Sequence, residues 1–429
     1  AEIISCLSFL PGPAASSVSL EALREGRRGK ASVLMPEKLR MSKVHLFSGV
    51  LVLLVLCLVG FGGWIASLPA ATADTEAPPV PREEADAMLA ALKPVKRERP
   101  LVAVIAINEA TETTDYLVPT GILRRADVAD VVMLATDPGP VALFPALTVV
   151  PDATLAQFDA AHPAGADYVI VPAMSRDDDP AVLAWLRDQA AKKARIIGIC
   201  AGAKVVAAAG LLDGRRATTH WYYLREMLDR SPTTTHVADR RMVSDGAVTT
   251  TTGITASMPM MLMLIEAIAG RTKAEAVARD LGIGDWDTRH ASGAFGLTRP
   301  FAATVLANTI AFWKREAFGI RLKPGMDEVS LALVADAWSR TYRSTVTSFS
   351  TSGDAVETRS GLRIIPDRPA HDWPETRRIL TLPAERPAGA LDRTLGAIAV
   401  RYGGATADVV TMQLEYPRGT GTVGHGPRE

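Results

Sequence analysis

The stretch Arg195–Trp221, RIIGICAGAKVVAAAGLLDGRRATTHW, constrains the fold more than any other part of the chain. Arg195–Ile199 is a short β-branched apolar run, the pattern of a strand buried on both faces of a parallel sheet. Cys200-Ala201-Gly202 is a joint of small residues. Lys204–Leu212 is rich in alanine and reads as a helix stopped by Asp213-Gly214. A strand that turns sharply into a helix through small residues lifts the residue at the joint out of the sheet, which is the geometry of a nucleophile elbow. Here that residue is a cysteine. The helix N-terminus beside it carries partial positive charge, so a lowered thiol pKa is expected. The plain alternative is a small buried hydrophobe, a common use of cysteine. His220 follows twenty residues later, after Thr218-Thr219.

The flanking chain alternates in the same way. Leu101–Ile107, Val131–Ala135 and Tyr168–Val171 read as strands, and Thr114–Ala126 and Ala181–Lys193 as helices. Such alternation predicts a parallel sheet covered on both faces, with a site beyond the carboxyl ends of its strands. Farther on, strands are expected around the Asp245-Gly246 turn, and helices over Met258–Ile268, Lys273–Leu281 and Thr304–Glu316. Asp177-Asp178-Asp179 reads as the start of a helix before Pro180 rather than a metal site.

ICAGAK together with GLLDGRRATTHW resembles the ThiJ/PfpI family of the class I glutamine amidotransferase-like superfamily. It is close to the sensor domains of GlxA-type regulators and to the deglycase branch. The likeness covers roughly Leu101 to Gly270. It implies a flavodoxin-like three-layer sandwich in which Cys200 is the nucleophile, Asp115 contacts it and His220 serves as acid or base. It also implies an oxyanion hole from the backbone N–H groups of Ala201 and Ala173, and a pocket walled by Trp221 and Tyr222. No cofactor or metal is implied. By their residues alone, Asp115 could instead cap its helix and His220 could be a buried hydrogen-bonded histidine. Departures narrow the chemistry. Lys204 stands where amidotransferases carry glutamine, and Ala201 where the peptidase branch carries histidine, so neither activity is expected; isonitrile hydratases carry threonine at that place, and Ala201 removes its hydroxyl. Pro172-Ala173-Met174 replaces the usual Gly-Gly of the oxyanion loop.

The chain has 429 residues, 48% of them hydrophobic, with a formal net charge of zero. Balanced charge gives no sign of a nucleic-acid surface. Of the three cysteines, Cys6, Cys57 and Cys200, only Cys200 falls in the globular part, which therefore holds no internal disulfide. Val44–Ala66 carries no acid, lysine or arginine. As a helix it would reach about 34 Å, enough to span a bilayer. Basic residues precede it and acidic ones follow, which places the main body outside the cytoplasm. The alternative is a signal peptide opening at Met41 and cleaved near Ala73.

The organisation expected is a basic segment 1–43, a transmembrane helix 44–66, a linker 67–99, the ThiJ/PfpI-like domain 100–270, a helical segment 271–322, a partial second α/β unit 323–417 and a flexible tail 418–429. The second unit is suggested by an echo: ATDPGPVALFPALTVVPDATL and STSGDAVETRSGLRIIPDRPA each follow an acidic helix, Asp115–Ala126 and Asp327–Trp338. It would make the chain an intrachain pseudo-dimer, the alternative being an ordinary homodimer. The function expected is a membrane-anchored, cysteine-dependent hydrolase or lyase acting on a small electrophile. The other reading is a non-enzymatic ligand or redox sensor without a DNA-binding module.

Overall fold

In a computed structural model the described residues are 43–72, 76–373, 378–382 and 384–416. They form two units, one ending at Leu68 and one running from Pro69. The basic segment 1–42 and the tail from 417 lie outside the description. The first unit is a single helix, α1, Lys43–Ser67. Among the described residues no helix is long and apolar enough to cross a membrane. The side chains of residues 43–50, 53–55 and 58 of α1 are not among those described.

The second unit begins with α2, Arg82–Leu92, and is built on a seven-stranded sheet. Its strands are β1 (Leu101–Ala106), β3 (Asp130–Ala135), β6 (Ala153–Thr154), β7 (Tyr168–Val171), β8 (Arg195–Gly198), β11 (Met242–Asp245) and β12 (Val248–Thr251). Their order is β11-β12-β8-β7-β1-β3-β6, and all neighbours are parallel except the β11–β12 hairpin around Asp245-Gly246. β1 shows why its sequence is apolar at every position. Val102, Val104 and Ala106 join one core, while Leu101, Ala103 and Ile105 join the other. One face is covered by α3 (Thr113–Ala126), α8 (Ser257–Ala269) and α9 (Arg271–Leu281). The other is covered by α4 (Leu155–Ala161), α5 (Pro180–Ala191) and α6 (Gly202–Ala208). β9 (Arg216–Ala217) and β10 (Thr235–His236) form a separate parallel pair, and a short helix, α7 (Leu224–Arg230), packs on α6. Asp179 caps α5 ahead of Pro180 and Asp177 pairs with Lys204.

The expected helix Thr304–Glu316 is displaced. α10 spans Arg299–Ile310, fixed at its start by Thr298 as cap and Pro300 in its first turn. Glu316 opens a strand instead, β13 (Glu316–Arg321), the first of a four-stranded parallel sheet. That sheet also contains β14 (Ser344–Ser350), β17 (Arg368–Pro369) and β18 (Ile379–Leu380), in the order β17-β14-β13-β18. α11 (Glu328–Ser339) packs on it, α12 (Pro387–Tyr402) packs on α11, and α13 (Gly404–Leu414) packs on α12. A third sheet ties the halves together. It runs β15 (Val356–Glu357), β16 (Arg363–Ile365), β5 (Thr148–Val150), β4 (Val141–Phe144) and β2 (Glu109–Glu112). At its centre β16 pairs antiparallel with β5, and α11 packs on α3. Among the described residues every buried core residue lies from Met88 to Leu414, within the unit that runs from Pro69.

Candidate active site

The elbow forms as its sequence demands. β8 ends at Gly198, Cys200 takes a left-handed φ of +55°, and α6 begins at Gly202. A non-glycine residue in that region is strained, and such strain persists only where neighbours hold it. They do so here: the Cys200 N–H donates to Thr251 Oγ1 (3.2 Å), and Thr219 Oγ1 donates to the Cys200 carbonyl (2.9 Å). Gly202 is needed for a different reason. A Cβ there would lie 1.9 Å from the Val171 carbonyl oxygen, so only glycine lets the helix start this close to β7.

Cys200 is buried, 3% exposed. Burial pushes its thiol well above the usual range, and the nearby carboxyls of Asp115 and Glu112 push in the same direction. This corrects the expectation of a lowered thiol pKa. The Ala201 N–H does favour the thiolate, but one short helix end does not offset desolvation together with two acids.

Asp115 stands in the first turn of α3 and is buried next to the thiol. Its Oδ2 accepts the Ala173 N–H at 3.1 Å, while Oδ1 has no hydrogen-bond partner. Burial lifts its pKa from 3.8 to about 8; the Ala173 N–H, Arg340 and the Cys200 side chain pull it down, and Asp336 pushes it up. It is therefore largely protonated at neutral pH. The helix cap is Glu112 rather than Asp115: its Oε2 accepts the Asp115 N–H at 2.6 Å. The Ala173 N–H is thus engaged by a carboxyl and is not free to serve an oxyanion. The Ala201 N–H remains the donor at the sulfur.

Glu112 opens a buried cluster that the sequence reading did not include. Arg340, from the end of α11, reaches Glu112 Oε1 through Nη2 (2.6 Å) and Asp336 Oδ1 through Nε (2.6 Å). Thr114 Oγ1 donates to Glu112 Oε2 at 2.8 Å. Glu112 and Asp336 hydrogen-bond each other, which requires a proton between them, and burial raises both carboxyls. Burial opposes the Arg340 charge, but Asp336 and Glu112 more than restore it. One cation serving three buried acids leaves protons shared within the set.

His220 is buried with both ring nitrogens in use. Nε2 meets the Gln413 carbonyl at 3.0 Å, and Nδ1 accepts the Tyr222 N–H at 3.2 Å. An Nε2–H tautomer satisfies both bonds, and burial lowers the imidazole pKa. Neither nitrogen is free to exchange a proton with the thiol in this arrangement. Trp221 is half-buried at the seam between the halves, its Nε1–H on the Met412 carbonyl (2.9 Å) and its ring edge-on to Phe301. Tyr222 packs edge-on against Trp221 and Tyr223. Glu415, just past α13, completes the seam. Its Oε2 accepts the Gly253 N–H (2.6 Å) and its Oε1 meets His290 Nε2 (2.9 Å). Lys204 is buried between Asp177 and Glu226, 3.0 Å from each. No group of three or more potential metal ligands occurs among the described residues.

A model of the DJ-1/PfpI family matches residues 101–267. An isonitrile hydratase of Pseudomonas putida is 38% identical over 105 residues, 24% of this chain and 44% of that protein. The Parkinson disease protein 7 homolog of Danio rerio is 28% identical over 191 residues, 43% of this chain and 97% of that protein. The transcriptional regulator CdhR of Pseudomonas aeruginosa is 37% identical over 105 residues, 24% of this chain and 31% of that protein. The chain thus spans less than half of the hydratase and of the regulator. Among solved structures, Drosophila melanogaster DJ-1beta aligns at 24% identity with a TM-score of 0.40, covering 44% of this chain and all of that one. Residues 101–267 are a DJ-1/PfpI family domain with a flavodoxin-like α/β fold.

Proposed function

With residues 101–267 taken as a DJ-1/PfpI family domain, we propose that Cys200 acts as a covalent nucleophile on a small electrophilic carbon, with Asp115 as its proton partner. One observation carries this reading: a buried carboxyl that titrates near neutral pH lies next to a buried thiol at a strained elbow. The ionised fraction of a carboxyl of that pKa is the base that takes the thiol proton, and the acid so formed returns it. The thiolate forms the S–C bond, and the displaced electron pair moves to the oxygen or nitrogen on that carbon. Asp115 returns the proton there, and Ala201 N–H supports developing negative charge. Water then adds to the same carbon, the sulfur leaves, and the thiol regains a proton. The net change is addition of water. The likeness to an isonitrile hydratase supports a small substrate of this kind. His220 holds the seam rather than transferring the proton.

The test is turnover of a panel of small reactive carbonyls and isonitriles by wild type and Cys200→Ala. Loss of all turnover in the variant is the expected result, and equal rates would refute the mechanism. A second reading, a redox or ligand sensor, is favoured by the engagement of Ala173 N–H with Asp115, which leaves one donor for an oxyanion. It predicts no turnover in wild type and conversion of Cys200 to its sulfinic acid by dilute peroxide, read by mass. Membrane attachment through residues 44–66 with the main body outside the cytoplasm is part of the proposal. It rests on the charge-free run of the sequence alone. Release of the full chain from membranes by alkaline carbonate would overturn it.

A further inference from the structure

The two halves of the unit repeat the same elements in the same order. β1, α3 and β6 of the first half begin 215 positions before β13, α11 and β17 of the second. Both sheets place these strands in the same order, β6-β3-β1-β7 and β17-β14-β13-β18. Fine detail repeats at the same offset. Asp127 and Tyr342, after α3 and α11, are both left-handed. Asp152 Oδ2 accepts the Met133 N–H and Asp367 Oδ2 the Ser348 N–H, each at 2.7 Å. Leu143 N–H donates to the Leu147 carbonyl (2.9 Å), and Thr358 N–H to the Leu362 carbonyl (2.8 Å). The closing helices also match, α8–α9 with α12–α13, joined at Gly270 and Gly403 with nearly equal angles (φ 85°, ψ 167° and φ 91°, ψ 156°). These lie 133 positions apart, so the second half is 82 residues shorter (215 less 133). The missing stretch falls between β7 and α8, which is where the first half carries its elbow.

The contact between the halves is that of a two-fold. Val149 pairs with Ile364, its own counterpart, in the antiparallel β5–β16 ladder. Arg125 at the end of α3 bonds Asp327 and Glu328 at the start of α11, while its counterpart Arg340 at the end of α11 bonds Glu112 before α3. Reciprocal contacts of this kind define an isologous interface.

We infer that residues 316–416 are a second, cysteine-free copy of the fold that serves this chain as its built-in partner subunit, and that its Arg340 is a positioning residue for the Cys200 site. The inference rests on the proposed nucleophilic role of Cys200. Arg340 holds Glu112, Glu112 holds the first turn of α3, and that turn presents Asp115 to the sulfur. The groups that act on the thiol are Asp115 and Glu112 from α3 and its cap, Arg340 from the end of α11, Tyr223 from the loop after the elbow, and Glu415 after α13; Asp336 acts on Asp115, Glu112 and Arg340.

The symmetry supplies its own control. Arg125 occupies the equivalent place at the other end of the helix pair, among Asp280, Asp327 and Glu328, so both arginines anchor the interface. Only Arg340 touches the cluster that reaches Cys200. The experiment is the pH dependence of iodoacetamide alkylation of Cys200 in the Pro69–Glu429 unit, with native fold checked by near-ultraviolet circular dichroism. Arg340→Met is expected to move the profile to higher pH and slow alkylation at pH 7 about tenfold, one pKa unit. Arg125→Met is expected to leave the profile in place. Arg340→Lys, which keeps the charge and loses the fork, is expected to fall between, and it carries the test if Arg340→Met does not fold. Equal shifts in the Arg340 and Arg125 variants would reduce Arg340 to a structural role, and an unmoved profile in the Arg340 variants would overturn the inference. A wild-type thiol that is not alkylated at any pH at which the native fold persists would instead count against the nucleophilic reading of Cys200.

Discussion

Asp115→Asn isolates the energetic consequence of keeping a protonated carboxyl next to the thiol. In the folded protein Asp115 binds its proton up to about pH 8, whereas its usual value is 3.8. Between those limits the folded state therefore holds one proton more than the unfolded chain. The raised pKa makes this contribution fully present at low pH and lost as pH rises toward 8. Each pH unit in that window lowers stability by up to ~1.4 kcal/mol, or up to ~4 kcal/mol from pH 5 to pH 8. Asparagine keeps the shape and can still accept the Ala173 N–H, but it does not titrate. Asp367 is present in both proteins and cancels in the difference, whereas Glu112, which the Asp115 carboxylate pushes up, loses that push in the variant. The assay is urea unfolding of the Pro69–Glu429 unit at pH 5, 6, 7 and 8. The stability of Asp115→Asn relative to wild type is expected to grow steadily across that range. Parallel curves would mean that Asp115 is ionised when folded, and its role as proton carrier would fall with them.

Gly202→Ala should cost ~3 kcal/mol or more, because its Cβ would meet the Val171 carbonyl at 1.9 Å; thermal unfolding within a degree of wild type would show that the elbow can relax. Gly121→Ala should be destabilising by ~1–3 kcal/mol, because a Cβ would lie 2.6 Å from Glu328 Cγ and press that residue away from Arg125; a neutral urea midpoint would refute such tight packing of α3 on α11. Glu415→Gln removes the carboxylate facing His290 while keeping the shape, and should lower the pKa of His220, whose charged form Glu415 favours; an unchanged imidazole titration by NMR would dissociate the C-terminal seam from the site.

Much of the site was legible because it is local in sequence. Isoleucines before Cys200, small residues at the joint and an alanine-rich run after it dictate strand, turn and helix through steric and propensity effects that act over a few residues. Asp115 and Ala201 were found by resemblance to a family motif, and the structure brings both to the sulfur. Arg340, Asp336 and Glu415 could not be found that way. They lie more than 130 positions from Cys200, in a half with no cysteine to draw attention to it. The one signal was the echo of TVVPD in RIIPD, which the structure turns into the central strand pair of the third sheet.

By itself, the sequence determined the main strands and helices around Cys200 and the position of the elbow. These follow from local pattern, because apolar periodicity and turn residues act on neighbours along the chain. Tertiary structure alone decided the chemistry of the site. Burial raised the thiol that its helix end would have lowered, gave Asp115 a pKa near neutrality and consumed both nitrogens of His220. Desolvation and charge pairing depend on which surfaces close over a group. Here the closing surface comes from the far half of the same chain.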